Sequence, residues 1–208
     1  EVDLRRLLRL GLPTVIDEAY YELGEGGSLS YLIQEFPNAI VLRTFSKAFG
    51  LAGLRVGYAL GHGSVIKLLT RVKVPWNVPA VSIAAASAAL DDMADFDARV
   101  AELKTARDEL GRGLSRMPGV VAIPSEGNFI LVDISHTRMS ADRMVQALLA
   151  EGVLIRSLGS HHAEKSYVRV TVGTRDQNAR CLAAFERVLG RRPQRDVAPS
   201  VFVGGDAE

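Results

Sequence analysis

Lys47 follows Ser46 just after an apolar run, Ala39-Ile40-Val41-Leu42, and precedes a glycine-punctuated stretch, Gly50-Leu51-Ala52-Gly53-Leu54-Arg55-Val56-Gly57. Taken alone, such a lysine reads as a solvated surface charge. Its company gives it chemical meaning. Asp17 ends a β-branched run, Thr14-Val15-Ile16, and Arg55 precedes a third apolar run, Val56 to Leu60. An amine can condense with an aldehyde, and a carboxylate can keep a ring nitrogen protonated so that the ring draws electrons. A guanidinium, helped by the Ser46 hydroxyl, suits a phosphate because its planar fork donates two hydrogen bonds at once. Tyr20, three residues after Asp17, can hydrogen-bond a phenolic oxygen.

Short strands must position these groups. The runs at 14–16, 39–42 and 56–60 read as buried strands, and open parallel sheets collect ligands at the C-terminal ends of their strands. The expectation is that Asp17, Lys47 and Arg55 converge on one sheet edge. Ahead of them, leucines at 4, 7, 8 and 10 give a helical pattern, so the sequence is expected to begin within a fold. Residues 65–72 have helical spacing, 75–79 form a break with Trp76 and Asn77 between two prolines, and 80–90 is an alanine-rich helix. Residues 91–117 carry Phe96, Val100, Leu103, Leu110, Leu114 and Met117 at three- and four-residue spacing, which predicts a long amphipathic helix bridging two layers. Strands are expected at 120–123, 129–134, 153–155 and 167–172, with a helix from Ser140 to Glu151 stopped by Gly152. A last helix opens at Thr174, with Gln177 at capping-box spacing, and ends at Gly190 and Pro193.

With strand and helix alternating this way, the chain predicts an α/β protein divided near residue 93. The stretches Asp17-Glu18-Ala19-Tyr20 and Thr44-Phe45-Ser46-Lys47-Ala48-Phe49-Gly50-Leu51-Ala52-Gly53-Leu54-Arg55-Val56-Gly57-Tyr58 resemble the cofactor signatures of fold-type-I aminotransferases, which use pyridoxal 5'-phosphate (PLP). Ser125-Glu126-Gly127-Asn128-Phe129, the arginine after Gly152-Val153-Leu154-Ile155, and Val168-Arg169-Val170-Thr171-Val172-Gly173-Thr174-Arg175 narrow the resemblance to the histidinol-phosphate aminotransferases. It runs to about Leu189. It implies an aspartate aminotransferase-like fold: a partial large PLP-binding domain over residues 1–92, then an interdomain helix and small α/β domain over 93–190; residues 191–208, polar with Gly204-Gly205, are expected to be a flexible tail. Lys47 would hold the cofactor and shuttle a proton as general acid and base. Asp17 would pair with the ring nitrogen, Tyr20 with the ring oxygen, and Ser46 and Arg55 with the phosphate. Arg169, helped by Arg156, would grip the carboxylate or phosphate of the substrate, with Asn128 beside it.

The implied reaction moves an amino group between glutamate and a keto acceptor, histidinol phosphate and imidazole acetol phosphate being the expected pair. A related aromatic aminotransferase or a threonine-phosphate decarboxylase would carry the same cofactor signatures. Family members also have an N-terminal part that supplies a glycine turn for the phosphate, an aromatic side chain stacked on the ring and an asparagine at the ring oxygen. None of these is assigned in this sequence, so a further segment is expected ahead of residue 1. A non-catalytic fragment completed by a partner is the reading from a different class. Family members act as homodimers, so an assembly of two copies is expected either way.

Balanced charge, 25 basic against 24 acidic residues, gives no electrostatic footprint for nucleic acid or an anionic membrane. Substrates are expected to be small. A single cysteine, Cys181, excludes an internal disulfide and fits a cytoplasmic setting. It shares a helix face with Phe185 and Leu189 and reads as core. His62, His136, His161 and His162 lack metal-ligand spacing, so no metal site is expected. The Gly50, Gly53 and Gly57 series fits neither common nucleotide-loop spacing. Glu18 should point away from Asp17 and serve the structure. By strand alternation alone, Arg169 would face solvent.

Overall fold

The computed structural model describes residues 2–159 and 166–190. The tail expected over 191–208 and the histidines at 161 and 162 lie outside the described residues. β1 (Thr14–Asp17), β2 (Ala39–Thr44) and β3 (Gly57–Gly61) form one sheet in that order. β1 and β2 run parallel, with Asp17 opposite Leu42. β3 runs antiparallel to β2, with Thr44 opposite Gly57 and Ile40 opposite Gly61. Only β1 and β2 are parallel, and the connection to β3 explains why. A parallel return needs a crossover over the sheet. Residues 45–56 instead close on themselves: Phe45 N donates to Val56 O at 3.1 Å and Leu51 N to Phe45 O at 2.9 Å. The start of β3 therefore lies beside the end of β2.

Gly57 is where that return passes closest to its neighbour. A Cβ on it would sit 2.8 Å from the Arg43 carbonyl oxygen, a backbone atom that cannot turn aside. Gly57→Ala is expected to cost about 1–3 kcal/mol through forced backbone displacement. Urea unfolding monitored by circular dichroism should show a midpoint below that of the wild type, and an unchanged midpoint would refute the close approach.

α1 (Val2–Leu8) and α2 (Leu32–Glu35) pack on this sheet around Leu8, Leu32 and Ala39. α3 (Gly63–Val72) follows β3, with the His62 side chain accepting from Ser64 N at its start. α4 (Ala80–Asp91) and α5 (Met93–Ser115) divide the helical pattern at Asp92, whose carboxylate caps α5 by accepting from Asp95 N at 3.3 Å. α5 bridges two cores. Near its start Phe96 packs with Phe45, Phe49 and Ala86, and further along Ala106, Leu110 and Leu114 enter a larger core.

That larger core lies on a second sheet, ordered β4 (Val121–Ala122), β5 (Phe129–Asp133), β7 (Tyr167–Thr171), β6 (Arg156–Ser157), every pairing antiparallel. α6 (Ala141–Ala150) and α7 (Arg175–Gly190) join α5 around this core. Ile130, Val132, Val168 and Val170 alternate inward against Phe185 and Leu114, each large side chain contributing about 1.5–3 kcal/mol by burial. The capping box forms reciprocally: Thr174 N donates to Gln177 Oε1 at 2.9 Å and Gln177 N to Thr174 Oγ1 at 3.3 Å. Cys181 is buried in the core, where desolvation pushes its thiol up to about 11. One expected strand moves. Residues 153–155 are not a strand, because Val153 N donates to Leu148 O and Gly152 N to Leu149 O, closing α6 in a Schellman motif with Gly152 at φ 77°. Pairing with β7 begins only at Arg156. No helix among the described residues is long and apolar enough to cross a membrane.

Candidate functional site

Lys47 sits in the closed loop between β2 and β3, and the flanking aromatics fix that loop. Phe45 and Phe49 are buried with ring centroids 4.7 Å apart, and Phe49 stacks on Phe96 of α5 at 4.2 Å. The sequence thus alternates anchors with the functional residues, Phe45 and Phe49 inward and Lys47 only half-buried. Gly50, at φ 72°, turns the chain so that its amide donates to Lys47 O at 3.0 Å. Ser46 N donates to Thr44 Oγ1 at 3.0 Å, which holds the residue beside Lys47.

Arg55 reaches the same edge because β3 is antiparallel. Its Nη1 donates to Ala52 O at 3.0 Å and lies 3.5 Å from Ser46 Oγ. Arg55 adopts φ 54°, ψ 43°, a left-handed conformation costly for a side chain of this size and typical of residues held for function. Asp17, at the end of β1, is exposed and accepts from Ala19 N at 2.9 Å, fixing its carboxylate. Tyr20 then places its ring 5.0 Å from Lys47 Nζ.

Beyond Tyr20 the site continues into the second sheet. Tyr20 meets the ring of Phe129 edge-on at 5.8 Å, and the Arg169 guanidinium lies 5.1 Å from the centre of that ring. Lys47, Tyr20, Phe129 and Arg169 therefore form one line of cation and aromatic contacts. Arg169 is not the solvated strand residue that alternation alone gives. It is only partly exposed, and among the described residues its Nε is the buried side-chain nitrogen without a hydrogen-bond partner. Arg156 lies directly opposite it in the β6–β7 register and is exposed. Asn128 accepts from Val172 N at 2.9 Å through its backbone carbonyl, and its side chain is half-exposed. Phe129 was not singled out by residue type; its signal was an aromatic on the outward side of a strand whose alternate residues, Ile130 and Val132, are core.

Between the two sheets runs a cleft of about 620 Å³ lined by Ile16, Asp17, Tyr20, Gly127, Phe129 and Leu131, among others. A Cβ on Gly127 would lie 3.2 Å from Phe129 and 3.6 Å from Tyr20, so the glycine leaves room for both rings. The donor set suits PLP. Ser46 and Arg55 pair a hydroxyl with a guanidinium for a phosphate, Asp17 offers a fixed carboxylate, Lys47 an amine, and the unpartnered Arg169 Nε an anion site. No group of three or more His, Cys, Asp or Glu side chains suited to a metal comes together among the described residues.

Comparison with known proteins agrees with this geometry. Residues 2–185 match the family described as aminotransferase class I and II. The histidinol-phosphate aminotransferase of Anaeromyxobacter sp. (strain Fw109-5) is 41% identical over 179 residues, 85% of this chain and 48% of the relative. The crystal structure of histidinol-phosphate aminotransferase from Sinorhizobium meliloti in complex with pyridoxal-5'-phosphate is 26% identical, with a TM-score of 0.74 over 89% of this chain and 53% of that one. L-threonine-O-3-phosphate decarboxylase from Porphyromonas gingivalis is 28% identical, with a TM-score of 0.77 over 91% of this chain and 59% of that one. The chain spans about half the length of the curated relatives it matches. The match across 184 residues places the chain in the class I and II aminotransferases.

Proposed function

We propose that this protein is a PLP-dependent aminotransferase that moves an amino group between glutamate and a keto acceptor, with histidinol phosphate and imidazole acetol phosphate as the second pair. The observation that carries this reading is the line from the Ser46–Arg55 pair through Lys47, Tyr20 and Phe129 to Arg169, which sets a phosphate grip at one end and an anion grip at the other. When bound, PLP supplies an electron sink that makes the substrate carbon acidic. Lys47 Nζ would hold the cofactor, and the same amine would serve as general base and acid toward the substrate carbon. Asp17 keeps the ring nitrogen protonated, and the Tyr20 hydroxyl serves the ring oxygen. Ser46 and Arg55 grip the cofactor phosphate. Arg169 binds the carboxylate or phosphate of the substrate with Arg156 beside it, and Asn128 lines the same end.

The same reading divides the chain into a PLP-binding part over residues 1–92 and a small domain over 93–190, supported by separate apolar cores that share α5. It makes the protein a cytoplasmic homodimer. Exposed apolar residues including Val15, Leu42, Val72 and Trp76 support an assembly that covers them. Borohydride reduction of the purified protein with PLP, followed by peptide mapping, should label Lys47; a label on any other lysine refutes the site. A panel of amino donors then separates the substrates. Imidazole acetol phosphate and glutamate formed from histidinol phosphate and 2-oxoglutarate are expected, whereas carbon dioxide released from threonine phosphate would make the protein a decarboxylase like the Porphyromonas gingivalis enzyme.

A further inference from the structure

Asp17 ends β1 and Lys47 follows β2, and a largely buried charged pair, Glu18 and Arg43, ties the two segments together. Glu18, next to Asp17, is only 6% exposed. Its carboxylate accepts from Arg43 Nε at 3.0 Å, from Ser28 Oγ at 2.9 and 3.1 Å, and from Leu29 N at 2.5 Å. Arg43 lies on β2, four residues before Lys47. Its Nη1 donates to the Tyr21 hydroxyl at 3.1 Å, its Nη2 to Ser28 Oγ at 2.5 Å, and its guanidinium lies 4.0 Å from the centre of the Tyr21 ring. The pair therefore holds both neighbours of the site: the segment with Asp17 and Tyr20, and the segment leading to Lys47. Burial lowers the proton affinity of the Arg43 guanidinium, and hydrogen bonds with Tyr58 and Glu18 more than restore it, so the charge stays in place.

A buried ion pair of this kind is a poor source of stability, because desolvation of both charges offsets their attraction. What it supplies is a fixed arrangement. Arg43 links Glu18, Tyr21 and Ser28 to β2 while Glu18 also gathers Ser28 and Leu29 within its own segment, and the turn they close is the one whose Ala19 amide orients the Asp17 carboxylate. Backbone bonds also hold that turn, among them Glu18 N to Leu42 O at 2.9 Å and Tyr21 N to Glu18 O at 3.2 Å.

Resting on the PLP reading of the site, we propose that Glu18, buried, and Arg43, partly buried, are positioning residues that set Asp17 and Tyr20 against Lys47. Loosening the pair should free the Asp17 carboxylate from the ring nitrogen. The ring nitrogen then loses its proton, the ring draws fewer electrons from the lysine linkage, and the pH midpoint of the bound cofactor's absorption moves up. A purely structural pair would change the melting temperature and leave that midpoint where it is.

The test compares Glu18→Gln, Arg43→Lys and Ser28→Ala in the purified protein with PLP, reading the absorption titration, PLP affinity and melting temperature together. Glu18→Gln leaves Arg43 uncompensated and could prevent folding. Arg43→Lys keeps a positive charge without the planar fork, and Ser28→Ala removes one bridge without creating a buried charge. For each variant that folds, the expected result is an upward shift of the midpoint and about a tenfold weaker PLP affinity for the two charge variants, with a smaller shift in the same direction for Ser28→Ala. A folded Arg43→Lys protein with the wild-type midpoint and affinity would overturn the proposal. Failure of the PLP reading itself would show separately, as a wild-type protein that borohydride does not label at Lys47.

Discussion

Replacing Lys47 with alanine should lower turnover by on the order of a thousandfold or more, since general acid–base catalysis alone contributes about 10²–10⁴-fold and the same amine also holds the cofactor. The variant should remain folded. Lys47 is only half-buried, and its loop is anchored by Phe45 and Phe49 rather than by the lysine itself. Its stability is therefore expected within about 0.5 kcal/mol of the wild type, as for a surface substitution. Single-turnover kinetics with histidinol phosphate, paired with a melting curve, make the check. Turnover within tenfold of wild type in a folded Lys47→Ala protein would remove the lysine from the mechanism.

Arg169 gives the second large effect, again on activity rather than on stability. Truncating one partner of a buried charge pair costs about 2–5 kcal/mol, which is roughly thirtyfold or more in kcat/KM. Arg169→Met should show that loss with anionic substrates while borohydride still labels Lys47, because the cofactor end of the site is untouched. The fold should gain or stay level. The buried Nε lacks a hydrogen-bond partner among the described residues, and such a group costs about 1–3 kcal/mol that methionine does not. A kcat/KM within twofold of wild type would free Arg169 from any substrate role. A large drop in melting temperature would instead mean that the guanidinium serves the fold.

Much of the cofactor end was legible in the sequence because its residues stand at strand ends, and strand ends are marked by short apolar runs followed by polar residues. Asp17, Lys47 and Arg55 were read that way. The direction of β3 was not legible. Alternation says which residues share a face and is blind to the sense in which a strand runs, and only the self-closing loop over 45–56 decides it. Glu18 was read as structural from its opposite facing, but period-two alternation could not reveal that Arg43, twenty-five residues on, would meet it. The displacement of the strand expected at 153–155 has a local cause that hydropathy does not record: the Val153 amide is spent on closing α6. The anion end depended most on resemblance, since Val168-Arg169-Val170 alone describes any amphipathic strand. Phe129 joins the two ends through contacts between sheets, and no local pattern encodes such a contact.

α5 lends Phe96 to the core beneath Lys47 and Ala106, Leu110 and Leu114 to the core beneath Arg169. Neither core can lose this helix while the other keeps it whole, so their melting is coupled through one shared element. The two ends of the site thus inherit the cooperativity of the molecule. Any fluctuation that would part the cofactor grip from the anion grip by swinging one sheet away has to unwind or unseat a helix of 23 residues, which ties the spacing between the grips to the free energy of opening a core.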